Sequence, residues 1–210
     1  MSFPGKKGHR APSPSAGAER TGPAVTHRLT KDLASSENLA RMIAASRASA
    51  LLEVTDYLAG MYIYGWDRLS KFWEDPEGVE ALLQRICEIS PQRWHQWIEF
   101  YHNELQGGNP GKASRLLGKT RKVANAAIVL EPSSELKAIL RNAEEIAPHH
   151  DTYEGRPIPI LTSECLILAI ATSTNSPIGQ KLRDAGLDLA ALEQAARNPR
   201  HAPLHGNETS

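Results

Sequence analysis

Three residues near the middle of the chain have the types and spacing that a divalent metal ion requires. His95, Glu99 and His102 lie at positions i, i+4 and i+7, so a helix would present all three on one face. Imidazole and carboxylate groups bind zinc, and Glu53 or Asp56 on another helix would supply a facing ligand. The chain has no paired Glu-x-x-His motif. We therefore favour a solvated polar face, predict no metal and no cofactor, and keep a metal-dependent enzyme as an alternative.

Other reactive side chains also favour structural interpretations. Cys165 follows Glu164 at the start of an apolar run, which predicts a buried and unreactive thiol. No histidine is positioned by sequence to act as its base. His149 and His150 are adjacent and would chelate a metal, but after Pro148 they indicate a polar turn. We therefore predict that the protein is not an enzyme.

A glycine-rich stretch and a basic stretch follow the aromatic part of the chain. Residues 107–113 are one residue short of the phosphate-loop spacing and lack the Ser or Thr that holds magnesium. Residues 112–122 carry five basic side chains, no acidic side chain and no aromatic ring. Such a segment supports at most non-specific contact with phosphates. We predict a basic linker over 107–130, and a nucleic-acid-associated regulator remains an alternative.

Overall charge and cysteine content limit the class of protein. The 24 basic residues equal the 24 acidic residues, so no general attraction to nucleic acid or to an anionic membrane is expected. The two cysteines lie in apolar segments, which indicates free thiols in a reducing compartment. The longest apolar run, 165–171, is far shorter than the ~20 residues that span a bilayer. We expect a soluble cytoplasmic protein with no membrane partner.

The first half of the chain predicts an aromatic-rich helical bundle over residues 34–106, after a disordered basic tail over 1–33. Periodic apolar residues indicate one long helix from about Ser35 to Gly60 or Gly65, then a short helix over 66–73. Two capping signals, at residues 75–76 and 90–91, begin two further helices. Ten of the twelve aromatic residues lie between Tyr57 and Tyr101. They indicate a compact core, with an aromatic-lined pocket or interface as the alternative.

The last part of the chain predicts a four-helix module over residues 131–198, followed by a disordered tail over 199–210. Helix-starting residues precede each apolar stripe, and a polar loop over 149–159 separates the first two helices. The starting signals are Ser133, Thr162, Ser176 with Pro177, and Asp188. The chain is thus expected to be all-α with two small helical units, and whether they share one core is left open.

Particular residues of these four helices carry a family likeness. They are the segments Leu136–Ala143, Leu161–Ile170, Ser176–Pro177 and Leu182–Leu192, the last with the Gly-Leu-Asp sequence at 186–188. In this order they resemble one repeat of the Clp N-terminal domain, which precedes the ATPase rings of Clp-family unfoldases. Cys165 stands where that family usually has histidine. Residues 37–105 do not reproduce the pattern, so we expect a single repeat.

The resemblance implies a role in protein recognition, because the Clp N-terminal domain contacts substrates and adaptors while the ATPase works elsewhere. We therefore predict a non-enzymatic adaptor or regulator whose partner is a protein or peptide, including a Clp-type ATPase or its client. The expected protein-binding residues are Leu136, Leu140, Glu164, Leu166, Leu182 and Leu189.

Overall fold

A computed structural model of the chain describes residues 27–102, 130–148, 150–153 and 155–198. Within these ranges the fold is mainly helical, as the sequence predicts. The α-helices are α1 (Lys31–Ser46), α2 (Val54–Leu69), α3 (Pro76–Ile86), α4 (Pro91–Phe100), α5 (Ser134–Ile146), α6 (Ser163–Thr172), α7 (Pro177–Asp184) and α8 (Leu189–Arg197). A short 3-10 helix spans Ser70–Phe72. The strands are β1 (Arg28–Leu29), β2 (Leu51–Leu52), β3 (Glu131–Pro132), β4 (His150–Tyr153) and β5 (Arg156–Leu161).

Six of the helices begin at the capping signals that the sequence displays. Each signal side chain accepts a hydrogen bond from a backbone N–H of the first turn, which satisfies a donor that the helix itself leaves unpaired. The capping residues are Asp75 for α3, Ser90 for α4, Ser133 for α5, Thr162 for α6, Ser176 for α7 and Asp188 for α8. Gly186 follows α7 with a φ of +85°, as a C-terminal glycine cap does.

The prediction of one long helix from Ser35 to Gly60 or Gly65 is wrong. The chain leaves α1 at Arg47, passes through Ala48 with a φ of +55°, and forms β2 before α2 begins. The Asp56 carboxylate accepts a hydrogen bond from the Glu53 backbone N–H at 2.9 Å, which helps to begin α2. Apolar periodicity continues across the break because both helices bury one face, so periodicity alone does not reveal it. The predicted boundary near Gly65 coincides with a kink in α2, where Gly65 has a φ of −118° and a ψ of 29°, and the predicted helix over 66–73 corresponds to the end of α2 after this kink and the 3-10 helix.

The predicted polar loop over 149–159 is instead an antiparallel β-hairpin within the described residues. Strand β4 pairs with β5, and Gly155 lies in the turn with a φ of +76°. Ile158 and Ile160 are buried on one face of β5, with the half-buried Pro159 between them. Prolines break most strands because they lack a backbone N–H, so residues 156–159 resemble a loop when only composition is considered.

The order of elements in residues 28–100, here the N-terminal unit, recurs in residues 131–197, the C-terminal unit. Each unit has a two-residue strand, a long helix, a second strand, an apolar helix and two short capped helices. The C-terminal unit adds strand β4, and the N-terminal unit adds the 3-10 helix. The order of elements is therefore repeated within the described part of the chain.

The strands join the two units crosswise. Strand β1 of the N-terminal unit pairs in parallel with β5 of the C-terminal unit, and β2 pairs in parallel with β3. The Thr30 N–H donates to the Leu161 carbonyl at 3.0 Å, and the Ser133 N–H donates to the Leu52 carbonyl at 2.9 Å. Each unit therefore depends on the other to complete its backbone hydrogen bonds.

One cluster of buried apolar side chains extends through both units. Helix α2 packs on α1 and also contacts α6, the most buried helix of the C-terminal unit. The two predicted units are thus parts of one packed body. Among the described residues, no helix has both the length and the apolar character needed to cross a membrane.

The predicted boundaries differ from the observed ones at the N-terminal tail. Residues 28–33, assigned to a disordered tail, form β1 and the start of α1. Leu130, the last residue of the predicted linker, accepts a hydrogen bond on its carbonyl from Arg41 at 2.6 Å. The tail over 1–26, most of the linker including residues 107–122, and the tail over 199–210 lie outside the described residues.

Candidate functional site

A cavity of about 410 Å³ opens where the two units meet. Its walls come from the starts of α1 and α6, the end of α2, the 3-10 helix and one face of α8. The lining residues are Thr30, Arg68, Lys71, Phe72, Thr162, Glu164, Ala191, Gln194, Ala195 and Asn198. A cavity of this size accommodates one or two amino-acid side chains or a small organic molecule.

The crosswise pairing of β1 with β5 places two helix N-termini side by side at this cavity. Leu29 lies opposite Leu161 in the parallel register, so Thr30 and Thr162 follow as neighbours. Thr30 caps α1 through the Leu33 N–H at 3.4 Å, and Thr162 caps α6 through the Cys165 N–H at 3.1 Å. Both helices therefore point the positive ends of their dipoles toward the same wall.

Arg68 connects the two units at the edge of the cavity. Its Nη1 donates to the Asp32 carboxylate of α1 at 2.9 Å, and its Nη2 donates to the Ser163 hydroxyl of α6 at 3.1 Å. Its Nε lies 3.3 Å from Glu164 Oε1, without the alignment of a hydrogen bond. The Glu164 carboxylate is thus attracted to Arg68 and retains acceptor positions for a ligand.

Contacts around Trp73 hold the opposite wall. The Asp188 N–H donates to the Phe72 carbonyl at 2.8 Å, and Trp73 forms a β-bridge with Leu187. The Trp73 indole also donates to the Tyr62 hydroxyl at 2.8 Å. These bonds fix the 3-10 helix beside α8, so Phe72 forms an apolar surface next to the small side chains of that helix.

The cavity combines charges of both signs with apolar surface. Lys71 is exposed at its edge, and none of the described residues forms an ion pair with it. Ala191 and Ala195 are half-buried and leave space above α8, while Gln194 and Asn198 add amide groups. A ligand that has an apolar side chain together with polar or charged groups would match this lining, and a short polypeptide has both.

The structure separates the predicted protein-binding residues into core and cavity positions. Leu136, Leu166 and Leu182 are fully buried in the shared core. Leu140 and Leu189 are half-buried and pack against that core. Glu164 lines the cavity. The leucines therefore hold the helices that frame the cavity, and of this set Glu164 is the residue that a cavity ligand would meet.

The metal-ligand candidates lie on the exposed side of α4 and just after it. His95 Nδ1 is 2.8 Å from the Pro91 carbonyl, and its Nε2 is 3.9 Å from the Glu80 carboxylate. Glu99 and His102 are also exposed. In the ranges that the structure describes, no group of three or more His, Cys, Asp or Glu is arranged to hold a metal ion.

Asp56, one of the two carboxylates proposed to face such a metal, has structural partners instead. Asp56 is fully buried, accepts the Glu53 N–H, and forms an ion pair with Arg47. In the three-stranded sheet, Asp151 of β4 pairs with Arg28 of β1, and His150 is exposed on β4. His149 lies outside the described residues.

Both thiols are buried. Burial raises the pKa of the Cys165 thiol above its ordinary value, and burial raises the pKa of Cys87 to about 12. The Cys165 sulfur lies 3.9 Å from the Ala196 carbonyl, inside the packing of α6 on α8. A protonated thiol in this position is a poor nucleophile.

Sequence reasoning did not identify Arg68, Lys71 or Phe72 as site residues. Arg68 and Lys71 flank the turn between α2 and the 3-10 helix, where basic residues at a helix end have an ordinary electrostatic explanation. The segment Trp66–Trp73 carries no recognised sequence motif. This segment lies near α6 and α8 because the two units pack together. The local sequence gives no sign of that packing.

Comparison of the chain with protein-family models, with curated proteins and with solved structures finds no match.

Proposed function

We propose that this protein is a non-catalytic adaptor or regulator that binds a short polypeptide segment in the cavity beside Glu164. The observation that carries the proposal is the cavity itself, which lies between two units joined by crosswise strands. The resemblance of the C-terminal unit to a Clp N-terminal repeat supports protein recognition and suggests a Clp-type ATPase or its client as partner.

The lining chemistry supports an extended polypeptide as ligand. Phe72, Ala191 and Ala195 offer apolar surface to one side chain. Glu164 accepts a backbone N–H or a basic group, and Lys71 attracts a carbonyl or an acidic group. Because the cavity presents both signs of charge, we expect selection by sequence more than by net charge.

A space-filling substitution tests the proposal without removing a polar contact. A phage-displayed library of random twelve-residue peptides is selected on the full chain, and the Kd of each enriched peptide is measured by fluorescence anisotropy. Ala195→Trp fills the cavity, whereas Ala190→Trp places the same side chain at an exposed position of α8 outside it.

We expect Ala195→Trp to weaken binding at least about tenfold, since a blocked cavity loses most of its contacts, and Ala190→Trp to leave it unchanged. Circular dichroism confirms that both variants retain the helical fold. Failure to enrich any peptide above an unrelated helical protein would contradict the proposal. Equal binding by the wild type and by folded Ala195→Trp would contradict it as well.

A further inference from the structure

A second cavity, of about 190 Å³, lies within the N-terminal unit and shares no lining residue with the cavity beside Glu164. It is formed by the last turns of α2, by α3 and by the end of α4. Five aromatic residues are among those that line it, namely Tyr62, Tyr64, Trp66, Trp94 and Tyr101, of which Tyr64 and Trp66 are half-buried and the others buried. Its volume exceeds the roughly 150 Å³ of an engineered cavity that accepts benzene, so a group of that size fits.

The rings are held in an angled arrangement. Tyr64 and Tyr101 have centroids 4.9 Å apart and planes inclined by 55°. Trp66 meets Tyr62 edge to face at 6.3 Å. The Tyr64 hydroxyl lies 3.3 Å from the Asp32 carboxylate of α1, a contact that anchors one side of the cavity. Aromatic rings around a small space offer a polarisable surface to a bound group.

The charges around the rings are acidic. Asp67 is exposed at the edge of the cavity, and Glu80 lines it from α3. Of the described residues that line it, none is Lys or Arg, and one, His102, is a histidine. The C-terminal ends of α2 and α4 lie close by, and their dipoles add negative potential. Aromatic rings, carboxylates and helix ends near this cavity therefore favour a cation over an anion.

We propose that this aromatic cavity binds the cationic head of a lysine or arginine side chain presented by a partner polypeptide. A cation over aromatic faces gains from the ring quadrupoles, and a nearby carboxylate completes its electrostatic neutralisation. A small cavity of this shape suits an alkylammonium, a methylated ammonium or a guanidinium. The proposal does not depend on the function proposed for the cavity beside Glu164.

Capped single residues test the ligand chemistry on the full chain. The ligands are the N-acetyl methylamides of lysine, trimethyl-lysine, arginine and norleucine, and binding is followed by tryptophan fluorescence, since Trp66 and Trp94 line the cavity. We expect at least one cationic ligand to bind about tenfold more tightly than neutral norleucine. Equal affinity for charged and neutral ligands would overturn the proposal.

A double variant tests the carboxylates while keeping their shape. D67N together with E80Q is expected to weaken the cationic ligand about tenfold and to leave norleucine unaffected. E131Q together with E145Q, which removes two exposed carboxylates outside the cavity, controls for net charge and is expected to change neither affinity. Unchanged cation affinity in a folded double variant would overturn the assignment.

Two further ligands distinguish a polypeptide partner from a free amine. Seven-residue peptides with one central lysine or arginine are compared with tetramethylammonium. Tighter binding of the peptides, lost in the double variant and retained in Ala195→Trp, supports a side chain presented by a partner. Equal or tighter binding of tetramethylammonium would overturn the polypeptide part of the proposal.

Discussion

The backbone N–H of Thr30 donates to the carbonyl of Leu161 at 3.0 Å, and this bond joins the start of α1 to the end of β5. The two residues are far apart in sequence, yet they set the positions of two helix N-termini at the cavity between the units. The Thr30 side chain also caps α1. This buried residue is therefore important for both the local helix and the junction.

Thr30→Ala is expected to lower the free energy of unfolding by about 1 kcal/mol, because the N-cap acceptor of α1 is lost. Thr30→Ser keeps the hydroxyl and is expected to lose less. Urea unfolding followed by circular dichroism measures both. Equal stability of Thr30→Ala and wild type would show that the cap makes no net contribution.

Gly60 lies at a close approach of α2 to α1. A Cβ at this position would lie 2.4 Å from the Ser36 carbonyl oxygen. Gly60→Ala is therefore expected to destabilise the protein by about 2 kcal/mol or more, as backbone atoms must move apart. Gly65 of the same helix has its nearest neighbours at 3.5 Å, so Gly65→Ala is the matched control. Thermal unfolding that ranks the two variants in the opposite order would refute the close-packing argument.

Arg47 neutralises the buried carboxylate of Asp56. Arg47 also donates to the Cys87 carbonyl at 3.0 Å, so it ties the break after α1 to the end of α3. Arg47→Ala leaves the Asp56 carboxylate without its ion pair, so we expect the free energy of unfolding to fall by about 2 kcal/mol near pH 7. The loss is smaller than for a fully buried pair because Arg47 is partly exposed. Arg197→Ala, in an exposed pair with Glu193, should change stability by less than about 0.5 kcal/mol.

The effect of Arg47→Ala is also expected to depend on pH. Burial raises the pKa of Asp56, while the Glu53 N–H and the Arg47 guanidinium lower it in part. A carboxyl with a raised pKa binds its proton more tightly in the folded state, so it stabilises the fold at low pH and less as pH rises. Removing Arg47 raises the pKa further. The stability difference between variant and wild type should therefore shrink from about pH 7 to about pH 4, and a difference that grows on acidification would contradict this role.

Cys87 makes the fold sensitive to alkaline pH. Its folded pKa of about 12 lies above the ordinary value of 9.0, so the protonated thiol is favoured in the folded state. The contribution of the Cys87 thiol to the free energy of unfolding is fully present below pH 9.0. It is lost as pH rises toward 12, by up to about 1.4 kcal/mol per pH unit. Cys87→Ala should make this decline shallower, while Tyr57 and Tyr62, whose pKa values are also raised, still contribute.

Alkylation with iodoacetamide at neutral pH gives an independent measurement on the thiols. Neither Cys87 nor Cys165 should react in the folded protein, and both should react in urea, because burial denies access and keeps each thiol protonated. Rapid labelling of either thiol under native conditions would show that the packing opens.

Local chemistry in the sequence determined most of the helices and their starts. Serine, threonine or aspartate before an apolar stripe, often with proline next, provides the first-turn hydrogen bonds whatever the helix packs against. Ser90 with Pro91 and Ser176 with Pro177 are such signals, and both begin a helix. The apolar run after Cys165 likewise identified the most buried helix of the C-terminal unit.

Only the tertiary structure decided the break after α1, the hairpin over 150–161 and the crosswise pairing of the two units. Strands β1, β2 and β3 pair with partners far along the chain, as Leu52 does with Ser133, so neighbouring residues carry little signal for them. The hairpin is local, but the prolines of β5 resemble a loop. The same pairing brings Arg68, Lys71 and Phe72 of one unit beside Glu164 of the other. Helix caps depend on neighbours within four residues, whereas a cavity between units depends on how their shared core packs.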